Sequence, residues 1–292
     1  MFNTAAATDL SQVFYGCKSL TELDLSRAST AKVQTFYGMF SGCSGLKRID
    51  LSLLDTSSAV NLSYLFADCS KLEAVNFAGI DTSSVTDFNH MFSGCSSLAS
   101  LDLSSFDTAA ANSLSYLFFG CSSLRALDLS SFDTSNVETM VYLFEGCSKL
   151  AEVTLGESFA WVGSKCFLPQ PSAADIPGAD GLWHAASDGA VYRPSAVPGN
   201  KADTYRAVVP GGEGDDVEDD TDVANGTDPA GAAEGANGAG TESAADAAGG
   251  ASAPNSGNLA IAAEGMAAAA REDYMTALAM ANPIAAAPRV LA

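Results

Sequence analysis

Basic residues are scarce in this sequence: 14 Lys and Arg stand against 35 Asp and Glu in 292 residues, a formal net charge of −21. Nucleic acid is excluded as a partner on that ground, because neutralising phosphates needs clustered Lys and Arg. Histidine is nearly absent, occurring only as His90 and His184, and neither sits in a motif with a nucleophile. GxSxG, P-loop and HExxH patterns are missing. No catalytic residue and no cofactor are therefore expected, and the chain does not read as an enzyme. Uninterrupted apolar runs are missing too. Glu264, Arg271, Glu272 and Asp273 break up the one alanine-rich stretch, so no membrane span is expected. A basic region followed by an apolar one, the mark of a secretory signal, does not open the chain.

What is present falls into two textures. Residues 1–210 hold nearly all the Leu, Phe, Val and aromatic residues and a net charge of −9; from Gly211 onward fourteen acids face two arginines, a net of −12. That second part is mostly Gly, Ala, Asp, Glu and Ser, with too little apolar surface to offset its ordering entropy. Residues 210–292 are expected to be a disordered acidic tail, with an alanine-rich helix near 258–282.

A step of twenty-six residues organises the first part. Cysteine recurs at Cys17, Cys43, Cys69, Cys95, Cys121 and Cys147. Phe14 to Phe144, Leu20 to Leu150 and Thr4 to Thr134 keep the same step. Such self-similarity is the mark of a repeat architecture. In each repeat an LxxLxL run, as at Leu124, Leu127 and Leu129, alternates in the manner of a strand. Equivalent strands in successive repeats predict one parallel sheet. The spacing of Val137, Met140, Leu143 and Phe144 predicts a short helix capped by Thr134 or Ser135. Gly16, Gly42, Gly94, Gly120 and Gly146, with Asp68 once, predict a tight corner at positive φ.

The cysteine column reads as small buried free thiols. Bridging between adjacent repeats is not excluded by distance, whereas metal binding lacks the CxxC-type spacing that wraps one ion. Cys166 lies outside the column. The expected fold class is an α/β solenoid: a leucine-rich-repeat-like right-handed coil over residues 1–155, with one parallel β-sheet and short helices. A β-rich cap should follow at 156–209. Within it Asp188-Gly189 is a hairpin signal between 182–184 and 190–192, with a last strand at 204–209. Phe2, Asn3 and Thr4 align with Phe132, Asp133 and Thr134, so the chain opens inside a repeat. Upstream repeats, and any export signal with them, are expected to be missing from it.

The phrase MFxGCSSLxxLDLSSFDTSxVTxM, matched at Met91 to Thr108 and Leu117 to Met140, resembles the BspA-type leucine-rich repeat surface proteins of bacteria. The tail of the cap, Gly181 to Tyr205, is similar to the segment that often follows such repeats. The resemblance covers residues 2–209. It implies a repeat protein displayed on or released from a bacterial surface, acting in adhesion or in binding to host or bacterial partners. The chain departs from that pattern in showing no lipobox cysteine, no LPxTG-like sorting motif and no closing membrane anchor.

Two surfaces are candidates for such binding. One is the outward face of the strands, with Lys47, Arg48, Asp50, Glu73, Asn76, Asp102, Arg125 and Asp128, varied residues beside fixed core columns. The other is an aromatic stripe of Tyr64, Tyr116, Phe119 and Tyr142, for which packing on a neighbouring loop is the bland reading. His90 shares that column and reads as an exposed helix edge. Asp55, Asp81, Asp107 and Asp133 read as turn and capping residues rather than calcium ligands. The expected function is protein–protein binding by a monomeric chain at the cell surface or secreted. An envelope spacer without a ligand and a carbohydrate-binding module are the alternatives.

Overall fold

The structure is a computed structural model that describes residues 4–208; the expected acidic tail and its alanine-rich helix lie outside the described residues. The expected α/β solenoid, with short helices and a single parallel sheet, is not what forms. Among the described residues there is no α-helix, only seven short strands and one 3-10 helix at Pro194–Ala196. The strands make two separate sheets. β1 (Arg48–Asp50) and β2 (Ala74–Asn76) form a two-stranded parallel sheet. β3 (Ala126–Leu129), β4 (Glu152–Leu155), β5 (Trp183–Ala185), β6 (Val191–Tyr192) and β7 (Asp203–Arg206) form a mixed sheet in the order β3-β4-β7-β5-β6.

The sheet is interrupted at the repeats that carry Leu23 and Leu101 at the centre of the run. Ile49, Val75 and Val153 are β-branched and suit a pleated surface; β3 keeps Leu127 there but pairs with Val153. The repeats with Leu23 and Leu101 at that place form no strand.

The predicted helix is replaced by a different way of satisfying the backbone. Phe36, Gly38, Phe40 and Gly42 donate their N–H groups to Asn61, Ser63, Leu65 and Ala67 of the next repeat, at 2.7–3.0 Å. The intervening Met39, Ser41 and Cys43 close four-residue turns onto Phe36, Gly38 and Phe40. Parallel bridges run Asp9–Thr35–Asn61–Asp87–Ser113–Thr139, each one repeat apart. A helix would spend these donors within its own segment. Tyr64, His90, Tyr116 and Tyr142, at φ 56° to 60°, sit in the left-handed region, where an L-residue cannot continue a right-handed helix. The corner column Gly16 to Gly146, with Asp68, is also left-handed. At Gly146 (φ 80°) an added Cβ would lie 3.1 Å from Gly120 Cα, so the approach of successive repeats also favours glycine.

The core lies inside these layers and is built from the fixed columns. Phe14, Phe40, Phe66, Phe92, Phe118 and Phe144 stack ring on ring at 5.5–6.0 Å. Burying each such ring contributes about 2–3 kcal/mol. All seven cysteines are free. The thiols of Cys43, Cys69, Cys95, Cys121 and Cys147 donate to the carbonyls of Phe14, Phe40, Phe66, Phe92 and Phe118, at 3.0–3.2 Å. Cys17 differs from its column in being exposed, since no described repeat precedes it.

The threonine column does not cap helices. The Thr56, Thr82 and Thr108 hydroxyls donate to the carbonyls of Asp81, Asp107 and Asp133 and accept from the N–H groups of the same residues, at 2.8–2.9 Å. Each hydroxyl thus joins one repeat to the next. β7 pairs antiparallel with β4, Val153 opposite Tyr205, and the β5–β6 hairpin continues the sheet beyond it. Trp183 and Tyr205, both fully buried, fill the space beneath.

Candidate functional site

The side chains of β1 alternate, Arg48 and Asp50 exposed and Ile49 buried between them. Parallel register then places Arg48 beside Ala74 and Asp50 beside Asn76. With Glu22, Leu23 and Asp24 of the preceding repeat they line an open groove of about 590 Å³, in which Ile49 and Val75 turn their side chains toward the core. Arg48 reaches Glu73 at 3.7 Å, both side chains largely exposed.

The aspartates of this face are held in fixed orientations. One carboxylate oxygen of Asp24, Asp50, Asp102 and Asp128 accepts the N–H of Ser26, Ser52, Ser104 and Ser130, at 2.8–3.0 Å. Asn76 accepts from Ala78 in the same way at 3.1 Å and donates to Asp50 at 3.0 Å. The hydroxyls and N–H groups of Ser26, Ser52 and Ser104 hold the Asp24, Asp50 and Asp102 carboxyls below the usual range. These carboxylates stay ionised at neutral pH.

Of the residues singled out in the sequence, Arg48, Asp50 and Asn76 line the groove. Lys47 and Glu73 are exposed at its edge, while Asp102, Arg125 and Asp128 lie on later repeats of the same face, exposed and outside the groove. Glu22 and Asp24 were not among the expected binding residues. The twenty-six-residue step was signal enough, because it places Glu22 beside Arg48 and Asp24 beside Asp50.

The aromatic stripe is arranged differently. Tyr64 stacks on His90 at 4.4 Å, His90 on Tyr116 at 4.3 Å, and Tyr116 on Tyr142 at 5.2 Å. Lys165 Nζ covers the Tyr142 ring at 5.1 Å and bonds its hydroxyl at 2.8 Å, and Phe119 leans on Tyr116 at 5.6 Å. Ring faces a sugar would need are thus taken up within the row. His90 is no exposed helix edge: it is a half-buried member of this stack, and burial pushes its pKa down to about 3.

Burial likewise pushes the Cys43 thiol up to about 11 and Cys147 to about 12, with Cys95 and Cys121 well above the usual range. These thiols pack and are not activated as nucleophiles. A second cleft, about 680 Å³, is lined by Lys165, Gln170, Asp180 and Arg193 of residues 156–209. His184 contacts Asp180 there at 3.0 Å. No helix among the described residues is long and apolar enough to cross a membrane.

The family described as "Mycoplasma protein of unknown function, DUF285" matches residues 1–77 and 60–160, together more than half of the chain. The chain belongs to that family. No curated protein and no solved structure matches it.

Proposed function

We propose that this chain is a non-catalytic bacterial surface or secreted repeat protein that binds other proteins through the outward face of its strands, in adhesion to host or bacterial partners. The observation that carries the reading is the open groove across β1 and β2, rimmed by oriented charged side chains. The same face varies from repeat to repeat while the Phe, Cys, Leu and Thr columns behind it stay fixed. Resemblance to the BspA-type surface proteins supports the surface location and the adhesive role. Carbohydrate binding by the aromatic stripe is the weaker reading, because its rings stack on one another.

The test is capture of partners by the immobilised full chain from host matrix and bacterial lysates, beside an Ala74→Tyr variant that fills the groove without adding charge. The reading expects a saturable partner that the variant loses at an unchanged unfolding midpoint. Capture of no saturable partner, or equal capture by the variant, overturns it.

A further inference from the structure

Resting on that reading of the face, we propose the chemistry of the partner: an extended segment of another protein carrying lysine or arginine on both sides of an apolar residue. Charge on the groove points to cations. Glu22, Asp24 and Asp50 line it with one cation, Arg48, which Glu73 already contacts at 3.7 Å; Lys47 stands at its edge and Arg27 acts on Asp24. Asp24 and Asp50 each have one oxygen fixed by a backbone N–H, so little side-chain freedom is lost when a cation arrives. Exposed Ala74, with the part of Leu23 and Val75 that is not packed on the core, supplies the apolar component.

Size points to an extended segment. The groove crosses three repeats, which at about 4.8 Å per strand is about 10 Å. About three extended residues cover that distance. Alternation along such a segment turns one side chain to the floor and its two neighbours toward the rim.

Other occupants fit less well. The chain beyond Gly211 holds fourteen acids and two arginines, and a second copy brings a net charge of −21; both are repelled by the same carboxylates. A divalent ion finds no group of three metal-ligating side chains among the described residues.

The experiment titrates the full chain with a labelled peptide of alternating lysine and leucine and follows fluorescence anisotropy. Peptides with glutamate for lysine, or serine for leucine, serve as comparisons. Asp24→Asn with Asp50→Asn removes charge but keeps the turn, because Asn76 already makes the same turn bond in this column. Asp55→Asn with Asp81→Asn removes equal charge from the other aspartate column, away from the groove. The proposal expects the first pair to weaken binding about tenfold, the second pair to change it little, and both comparison peptides to bind more weakly. Equal binding by wild type and the Asp24/Asp50 variant overturns the proposal, as does equal loss in both pairs. If Ala74→Tyr abolishes peptide binding while the Asp24/Asp50 change does not, the charge argument fails and the face reading stands. If Ala74→Tyr affects neither peptide nor captured partner, the face reading itself fails.

Discussion

Thr108 offers a perturbation with its own control in the same column. Its side chain is 1 % exposed, and its hydroxyl both donates to the Asp133 carbonyl and accepts from the Asp133 N–H, each at 2.9 Å. Thr30, 2 % exposed, occupies the same place three repeats earlier, yet its hydroxyl has no hydrogen-bond partner. Valine keeps the branched shape and removes only the hydroxyl. In Thr108→Val two bonds worth about 1 kcal/mol each are lost, and the orphaned Asp133 groups bring the total to about 2–3 kcal/mol. In Thr30→Val an unpartnered buried hydroxyl becomes a methyl, so stability changes by less than about 0.5 kcal/mol or rises. Urea unfolding read by tryptophan fluorescence measures both, with the slope against urea unchanged if only the native state is altered. A loss below about 0.5 kcal/mol for Thr108→Val, or equal losses for the two, refutes the stitching role.

Phe92, fully buried between Phe66 and Phe118, should cost about 3–5 kcal/mol when replaced by alanine, measured by the same unfolding assay. Of the seven thiols, exposed Cys17 should react promptly with a chromogenic disulfide, and the buried Cys43, Cys69, Cys95, Cys121 and Cys147 only after denaturation; a native stoichiometry far above one contradicts the column. For His90 the folded pKa, about 3, lies below the ordinary 6.5. The unfolded chain therefore takes up the proton first, so its contribution is complete above pH 6.5 and is lost as pH falls toward 3. His90→Tyr, the residue found at Tyr64, Tyr116 and Tyr142, should flatten the fall in stability between about pH 6.5 and 5, and an unchanged slope denies the assignment.

The repeat step was legible because four residue types recur every twenty-six positions, and the structure keeps the Thr column and, from Phe40 and Leu46 onward, the Phe and Leu columns inside. The inward stripe Val137, Met140, Leu143 and Phe144 was also legible; all four are buried. Its helix was not, since a spacing of three and four suits successive four-residue turns as well as a helix. The discriminating signal is the backbone at Tyr64, His90, Tyr116 and Tyr142, left-handed in each repeat, and no side-chain pattern announces a bulky residue at positive φ. The single sheet failed at Leu23 and Leu101, where alternation predicts a strand and none forms; the residue type there does not decide it, since Leu127 holds the same place in β3. On the candidate face, Arg48, Asp50 and Asn76 came from the exposed positions of the LxxLxL run, while Glu22 and Asp24 needed the register. The pairing of Tyr ring faces by His90 and Lys165 was hidden, because it depends on side-chain orientation across repeats.

The measurement closest to the centre of this account is the hydrogen-bond partner of the Phe118 amide, read by NMR coupling across the bond. With repeats joined edge to edge, that amide couples to the carbonyl of Leu143 in the following repeat, at 3.1 Å. Coupling to Leu114, four residues earlier, would mean a helix and contradict the account.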